Sequence, residues 1–316
     1  MHVLRNRLLD AQQALSFLVS QATYIEQEVD RVLYPEIQYP ALIPMDFSAP
    51  EWTKSVTYFS MDRVGQAQWF AGQARDVPRA DVNLNRQETT VSMAAIGYGY
   101  DIEELSQAQQ LGLQLNPEKA EAARRAYEEF VDRAALWGAA EKGYVGLLND
   151  PSITTSTAAN GASGQPTWAS KTPDEKLLDI NTALTGVYTG TGNIELADTV
   201  LLPLSQLITI GNQPRSANSD TTILNFLREA NTYSAISGQR LTIRGVRGLE
   251  TAGAGGTARM VAYRKDPKAL KMHMPMRHRF LPAMQTGPLL YEVPGIFRFG
   301  GLDKRRPLSM RYVDGI

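Results

Sequence analysis

Residues 51–100 read EWTKSVTYFSMDRVGQAQWFAGQARDVPRADVNLNRQETTVSMAAIGYGY, and the fold turns on how this stretch is read. Valine, isoleucine, leucine and phenylalanine supply nine of its fifty positions, too few for an independent core. Its ends still read as strands. Lys54–Met61 is β-prone, and Glu88–Tyr100 carries the Thr89-Thr90-Val91-Ser92-Met93 run that suits an edge ribbon. Between them Gly65, Gly72, Pro78, Asp81, Asn83 and Asn85 supply turn chemistry. The pattern predicts a long two-stranded β-loop projecting from the body. An isolated hairpin is marginal in water, so this one needs a surface to lie on, and another copy of the chain is the simplest. Tyr58, Phe59, Trp69 and Phe70 also favour such a surface, because large aromatics gain about 1.5–3 kcal/mol each on burial.

Upstream, Leu15, Leu18, Ala22, Ile25, Val29 and Val32 form the apolar stripe of an amphipathic helix. Such a helix packs on its own domain or docks on a neighbouring subunit. Pro35, Pro40, Pro44 and Pro50 follow, which predicts an extended strap able to carry the helix away from the body. Downstream, Asp101 and Glu104 make a capping box for a helix bearing Ile102, Leu105, Ala108 and Leu111. Asn116-Pro117 starts a second helix of about 22 residues, with Ala123, Tyr127, Phe130, Ala134 and Trp137 on one face and Gly138 and Gly143 at its end.

Residues 150–170 (Pro151, Asn160-Gly161, Ser163-Gly164) read as a surface loop and a boundary. An α/β pattern follows. One helix starts at Thr172–Glu175 and carries Leu177, Ile180, Leu184 and Val187. Another opens at Ser219-Asp220 with Ile223, Phe226 and Leu227. Strands are predicted at Asp198–Leu202, Arg240–Arg244 and Arg259–Tyr263, then at Met272–Phe280, Leu289–Phe299 and Leu308–Val313.

A length of 316 residues suggests about two domains. The balance of 32 basic against 33 acidic residues excludes both a strongly basic nucleic-acid coat and an acidic disordered chain. There are no cysteines, which removes disulfides, thiolate metal sites and cysteine nucleophiles. No apolar run approaches the roughly 18 residues of a membrane span. These features describe a soluble protein of a cytosol-like compartment, with no membrane partner.

Motifs that invite chemistry each lack an essential part. Thr251–Arg259 is rich in glycine but has no lysine after Gly256, so a turn between strands fits better than a phosphate loop. Glu195 stands where a dinucleotide fingerprint beginning at Gly190 and Gly192 needs its third glycine. Asp81, Asn83 and Asn85 start like a calcium loop, yet Arg86 and Ser92 occupy its glycine and glutamate positions. His273 and His278 are five apart on opposite strand faces. Lys304-Arg305-Arg306 is a short basic cluster without a base-stacking platform. No catalytic constellation, cofactor site or metal site is assigned.

Strap, β-loop, long helix, α/β lobe and returning strands form an order that resembles the tailed-bacteriophage major capsid proteins of the Hong Kong 97 type. Val77-Pro-Arg-Ala-Asp-Val82, Tyr144–Pro151 and the closing Phe299–Ile316 are also similar to a phage capsid subfamily. The resemblance implies an α+β fold with an N-arm (1–50), an E-loop (51–100), a P-domain segment with a spine helix (101–149), an A-domain (150–265) and P-domain return strands (266–316). It implies a non-enzymatic subunit assembling as pentamers and hexamers around double-stranded DNA. Expected partners are the portal, scaffolding or decoration proteins, and DNA held non-specifically. The expected location is the virion, after assembly in the host bacterial cytoplasm. No scaffolding segment is expected before the N-arm. An encapsulin-like compartment enclosing a cargo protein and an α/β enzyme or binding domain remain as alternatives. The expected subunit contact joins Trp69, Arg75, Arg79 and Arg86, with Arg63, to Glu128, Glu129 and Asp132 on a neighbour's spine helix. Lysine–asparagine cross-links, known in some shells of this fold, are not expected. Ser55–Tyr100 holds no lysine, and Asn231 is the last asparagine.

Overall fold

The computed structural model describes residues 35–64, 80–101, 103–104, 115–216, 218 and 220–316. The N-terminal stripe, Trp69, Phe70, Arg75 and Arg79 lie outside the described residues, as does most of the helix expected from Ile102 to Leu111. The chain divides into Met1–Glu36 and Ile37–Ile316, and the second unit is described below.

The strap is not extended throughout. Helix α1 (Tyr39–Leu42) holds Pro40 in its first turn, where a missing N–H costs no hydrogen bond, and strand β1 (Met45–Asp46) follows. Strands β2 (Ser55–Val64) and β3 (Asp81–Thr90) pair antiparallel, from Ser55 with Thr90 to Val64 with Asp81. Asp81, Asn83 and Asn85 therefore lie in a strand rather than a turn, because the β2 ladder overrides their local preference. Strands β4 (Ser92–Ala95) and β5 (Tyr98–Asp101) leave the ribbon and pair elsewhere.

Helix α2 (Leu115–Trp137) begins just before the expected Asn116. It buries Ala123, Tyr127, Val131, Ala134 and Ala135, whereas Phe130, expected on the same face, is exposed. The hairpin of β6 (Gly138–Ala139) and β7 (Tyr144–Val145) closes over its end. Gly138 sits at φ 77°, and a Cβ on Gly146 would lie 2.2 Å from the Leu136 carbonyl. Only glycine allows that approach.

Strand β8 (Thr154–Thr157) precedes α3 (Pro173–Gly190), where Thr172 and Glu175 form the capping box. The intervening loop is not simply surface. Trp168 is fully buried, and its Nε1 donates to Asp179, which also pairs with the buried Lys171. Next come β9 (Thr199–Pro203), α4 (Leu204–Asn212), α5 (Ile223–Glu229) and α6 (Thr232–Ser237). Thr222, two residues after the expected Asp220, caps α5, and Ser219 lies outside the described residues. Strands β10 (Thr242–Val246) and β11 (Arg259–Tyr263) complete this region.

Two of the three strands expected near the C-terminus, Met272–Phe280 and Leu289–Phe299, are divided at a proline, which cannot donate to a ladder. Pro275 separates β12 (Leu270–His273) from β13 (Met276–Phe280). After β14 (Met284–Gln285), Pro294 separates β15 (Leu290–Val293) from β16 (Gly295–Phe299). Strands β17 (Leu302–Lys304) and β18 (Met310–Asp314) end the chain.

One mixed sheet, ordered β10-β9-β11-β18-β8, forms the wall between two cores. The period of two sends Leu201, Val261, Tyr263 and Tyr312 into the core with Tyr127, Val131 and Phe297. It sends Val200, Leu202, Met260, Ala262 and Val313 into the core with Trp168, Ile180 and Leu184. Because both cores need this sheet, Ile37–Ile316 forms one compact unit. The closing strand β18 also departs from expectation. It lies between β11 and β8 in that sheet, not with the other return strands.

Candidate assembly interface

Direct cross-strand pairing puts Phe59 opposite Arg86 and Met61 opposite Leu84, with Val82 two residues on. All share one ribbon face. Phe59 is 66% exposed, Met61 70% and Leu84 65%. Arg86 is held beside them by Glu88 at 3.0 Å. A bare apolar face flanked by charge is an interface feature, because water gives such a face no stabilisation.

The base of the ribbon is anchored differently. Arg277 stacks over Phe47 at 4.0 Å, Arg298 over Trp52 at 5.8 Å and Arg305 over Tyr58 at 4.4 Å. Three arginines of the C-terminal region thus grip three aromatics, two in the segment that leads into the ribbon and one, Tyr58, in its first strand.

The acidic residues expected to await a neighbour are partly occupied. Asp132 Oδ1 accepts the backbone N–H groups of Gln38 (2.9 Å) and Tyr39 (2.8 Å), and so caps α1. Glu128 accepts the Tyr39 hydroxyl at 2.8 Å. Burial and this carboxylate hold that hydroxyl protonated far above the usual tyrosine range. Glu129 pairs with Arg125 at 2.9 Å and remains accessible.

Glu129 also borders a half-open cleft of about 400 Å³ between α2, β4 and β16. Ala94, Ala95, Ala126, Phe130 and Phe297 make its apolar floor, with Glu129 and Arg133 at its charged rim. Behind it runs a series of ring contacts through Phe130, Phe297, Tyr127, His278, Phe280 and Tyr98.

The remaining motifs are structural. Each cation of the basic cluster meets an acid of its own chain: Lys304 meets Asp150, Arg305 meets Asp303 and Arg306 meets Glu195. The glycine loop is tied by Ala254 N to Asp314 Oδ2 at 3.0 Å. His273 and His278 lie on separate strands, β12 and β13. Among the described residues no cluster of metal-ligating side chains forms, and no helix is long and apolar enough to cross a membrane.

A ribbon, a long helix over a shared sheet and returning strands are the parts of the Hong Kong 97-like fold. The capsid subunit of Myoviridae phage XM1 matches at a TM-score of 0.80 and 19% identity, over 94% of this chain and 98% of that one. The structure from Mycobacterium phage Bobi matches at 0.59 and 14% identity, over 92% and 94%. The capsid of a native GTA particle matches at 0.61 and 9% identity, also over 92% and 94%. No curated protein matches the chain. The family model described as "Major capsid protein" matches residues 65–316, and the chain belongs to that family. It is therefore a structural component of the virion, made to assemble in many copies. The comparisons favour this over a cargo-enclosing compartment or an enzyme.

Proposed function

We propose that the chain closes into pentamers and hexamers that tile an icosahedral shell around the double-stranded DNA of a tailed phage. The bare face of Phe59, Met61, Leu84 and Val82 carries this reading. In the shell it lies on the α2 cleft of a neighbouring subunit, where the alanines and phenylalanines meet its apolar side chains. Arg86 and Glu88 then meet Glu129 and Arg133 at the rim. Each subunit gives one such contact and receives one, a head-to-tail arrangement that closes into rings. We assign Trp69, Arg75 and Arg79 to the same contact.

In this reading residues 1–50 are the N-arm, 51–100 the E-loop, and 101–149 the P-domain segment with its spine helix. Residues 150–265 are the A-domain, to which β18 is added, and the rest of 266–316 returns through the P-domain. DNA is held without sequence readout, which suits a net charge of −1. Portal and scaffolding or decoration proteins complete the particle, which assembles in the host bacterial cytoplasm. Electron microscopy of particles from the expressed chain tests this. Shells with five- and six-fold rings are expected, and a monodisperse monomer under all assembly conditions contradicts the reading.

A further inference from the structure

Tyr58 lies on the ribbon face opposite Phe59, and Arg305 covers its ring. Arg305 is not free to choose its direction. Its Nε donates to Asp303 Oδ2 at 3.0 Å, and Asp303 is buried. The same Oδ2 lies 3.1 Å from Nε2 of His273, a ring 1% exposed. The other ring nitrogen, Nδ1, faces Asp46 Oδ2 at 3.4 Å. Asp46 is in turn fixed by Lys271 and by the amide and hydroxyl of Ser48. A carboxylate thus stands on each side of one buried imidazole. One carboxylate belongs to strap strand β1, and the other aims the arginine that grips the ribbon.

We propose that Arg305, aimed by Asp303 and His273, is the positioning residue that sets the angle at which the ribbon leaves the body. The Tyr144 hydroxyl also holds the base, donating to the Thr90 carbonyl at 3.1 Å, but the ribbon face that carries Phe59 and Met61 is bare. A guanidinium stacked on a ring within about 6 Å is attractive but directional, so it holds one orientation better than an apolar contact would. Asp303 gives the guanidinium its plane, and buried His273 gives Asp303 its place. Through Asp46 the same network ties the strap to the ribbon, so the two segments move as a pair. The importance of this angle for assembly rests on the ribbon contact proposed above, whereas the positioning itself does not.

Amide hydrogen exchange on the unassembled full-length chain separates the two. In Arg305→Ala and Asp303→Asn, exchange in residues 55–60 and 84–90 should rise about five- to tenfold, the size of one lost cation–π contact. Exchange in β11 and β16 should not change. Tyr58→Phe keeps the ring and should behave as wild type, whereas Tyr58→Leu should match Arg305→Ala. Unchanged ribbon exchange in Arg305→Ala overturns the proposal. So does an equal rise in the body strands, or a Tyr58→Phe chain as loose as Tyr58→Leu. If the ribbon loosens but shells form normally, the positioning stands and the interface reading fails.

Discussion

Asp132 Oδ1 lies 2.8 Å from the backbone nitrogen of Tyr39, and Asp132 thereby serves the helix turn of its own strap before any neighbour. The same oxygen accepts from Gln38, so one side chain satisfies two otherwise orphaned donors of α1. Asp132→Ala should cost about 1–2 kcal/mol, as other lost caps do. Asp132→Asn keeps an acceptor and should recover about half of this. Thermal melts of the subunit, with exchange at residues 38–43, measure both. No difference between Ala and wild type would remove the cap from the account.

A larger loss is expected in the shared sheet. Arg259 and Asp314 are direct partners on β11 and β18, joined at 2.7 Å (Nε to Oδ1) and 2.9 Å (Nη2 to Oδ2). Arg259 also donates to the Leu148 carbonyl and stacks on Tyr312. Removing one member leaves a buried charge alone, which costs about 3–5 kcal/mol. Arg259→Ala should therefore be insoluble or melt well below wild type, on a standard solubility and calorimetry comparison.

Stability should fall in acid. Burial raises the Asp303 carboxyl, but hydrogen bonds from His273 and Arg305 outweigh it and the net shift is downward. At Asp46 burial acts the same way, and Lys271 and Ser48 again win. A folded carboxyl below its unfolded value binds fewer protons than the unfolded chain does. Its stabilisation is present above the unfolded value of about 4 and is lost as pH falls through and below it. Denaturant melts between pH 3 and 7 should show a flat region above pH 5 and a decline below 4. Asp303→Asn should make that decline shallower, and an unchanged acid slope in this variant would argue against the network.

Mature particles should carry no covalent cross-links. Lys54 precedes the ribbon, Ser55–Tyr100 contains no lysine, and Asn231 is the last asparagine. Boiling in denaturant should give a single monomer band on a gel, and a ladder of covalent oligomers would falsify this.

Local patterns carried much of the fold. The helix-start residues Thr172–Glu175 announce α3, the apolar spacing gives α2, and the poor core content of 51–100 marks a ribbon. What stayed hidden depends on partners far away in the chain. Asp81, Asn83 and Asn85 favour turns locally, and only the pairing with β2 makes them strand. Pro275 and Pro294 were visible, but the strand breaks at them follow from ladders that need donors on both sides. The stacking of Phe47, Trp52 and Tyr58 under Arg277, Arg298 and Arg305 joins residues more than 200 positions apart. The Lys304-Arg305-Arg306 run resembles a surface patch until Asp150, Asp303 and Glu195 are seen opposite it. Glu128, Glu129 and Asp132 were expected to meet a neighbour, and the local pattern did not reveal that two of them hold the chain's own strap.

The interface is tested most directly by assembly of a chain carrying Met61→Asp with Leu84→Lys. These residues face each other across the ribbon, so the new pair can attract and preserve the ladder while removing the apolar face. The account predicts soluble subunits with an unchanged melt that sediment as monomers and form no shells. Normal shells at wild-type yield from this variant would contradict it.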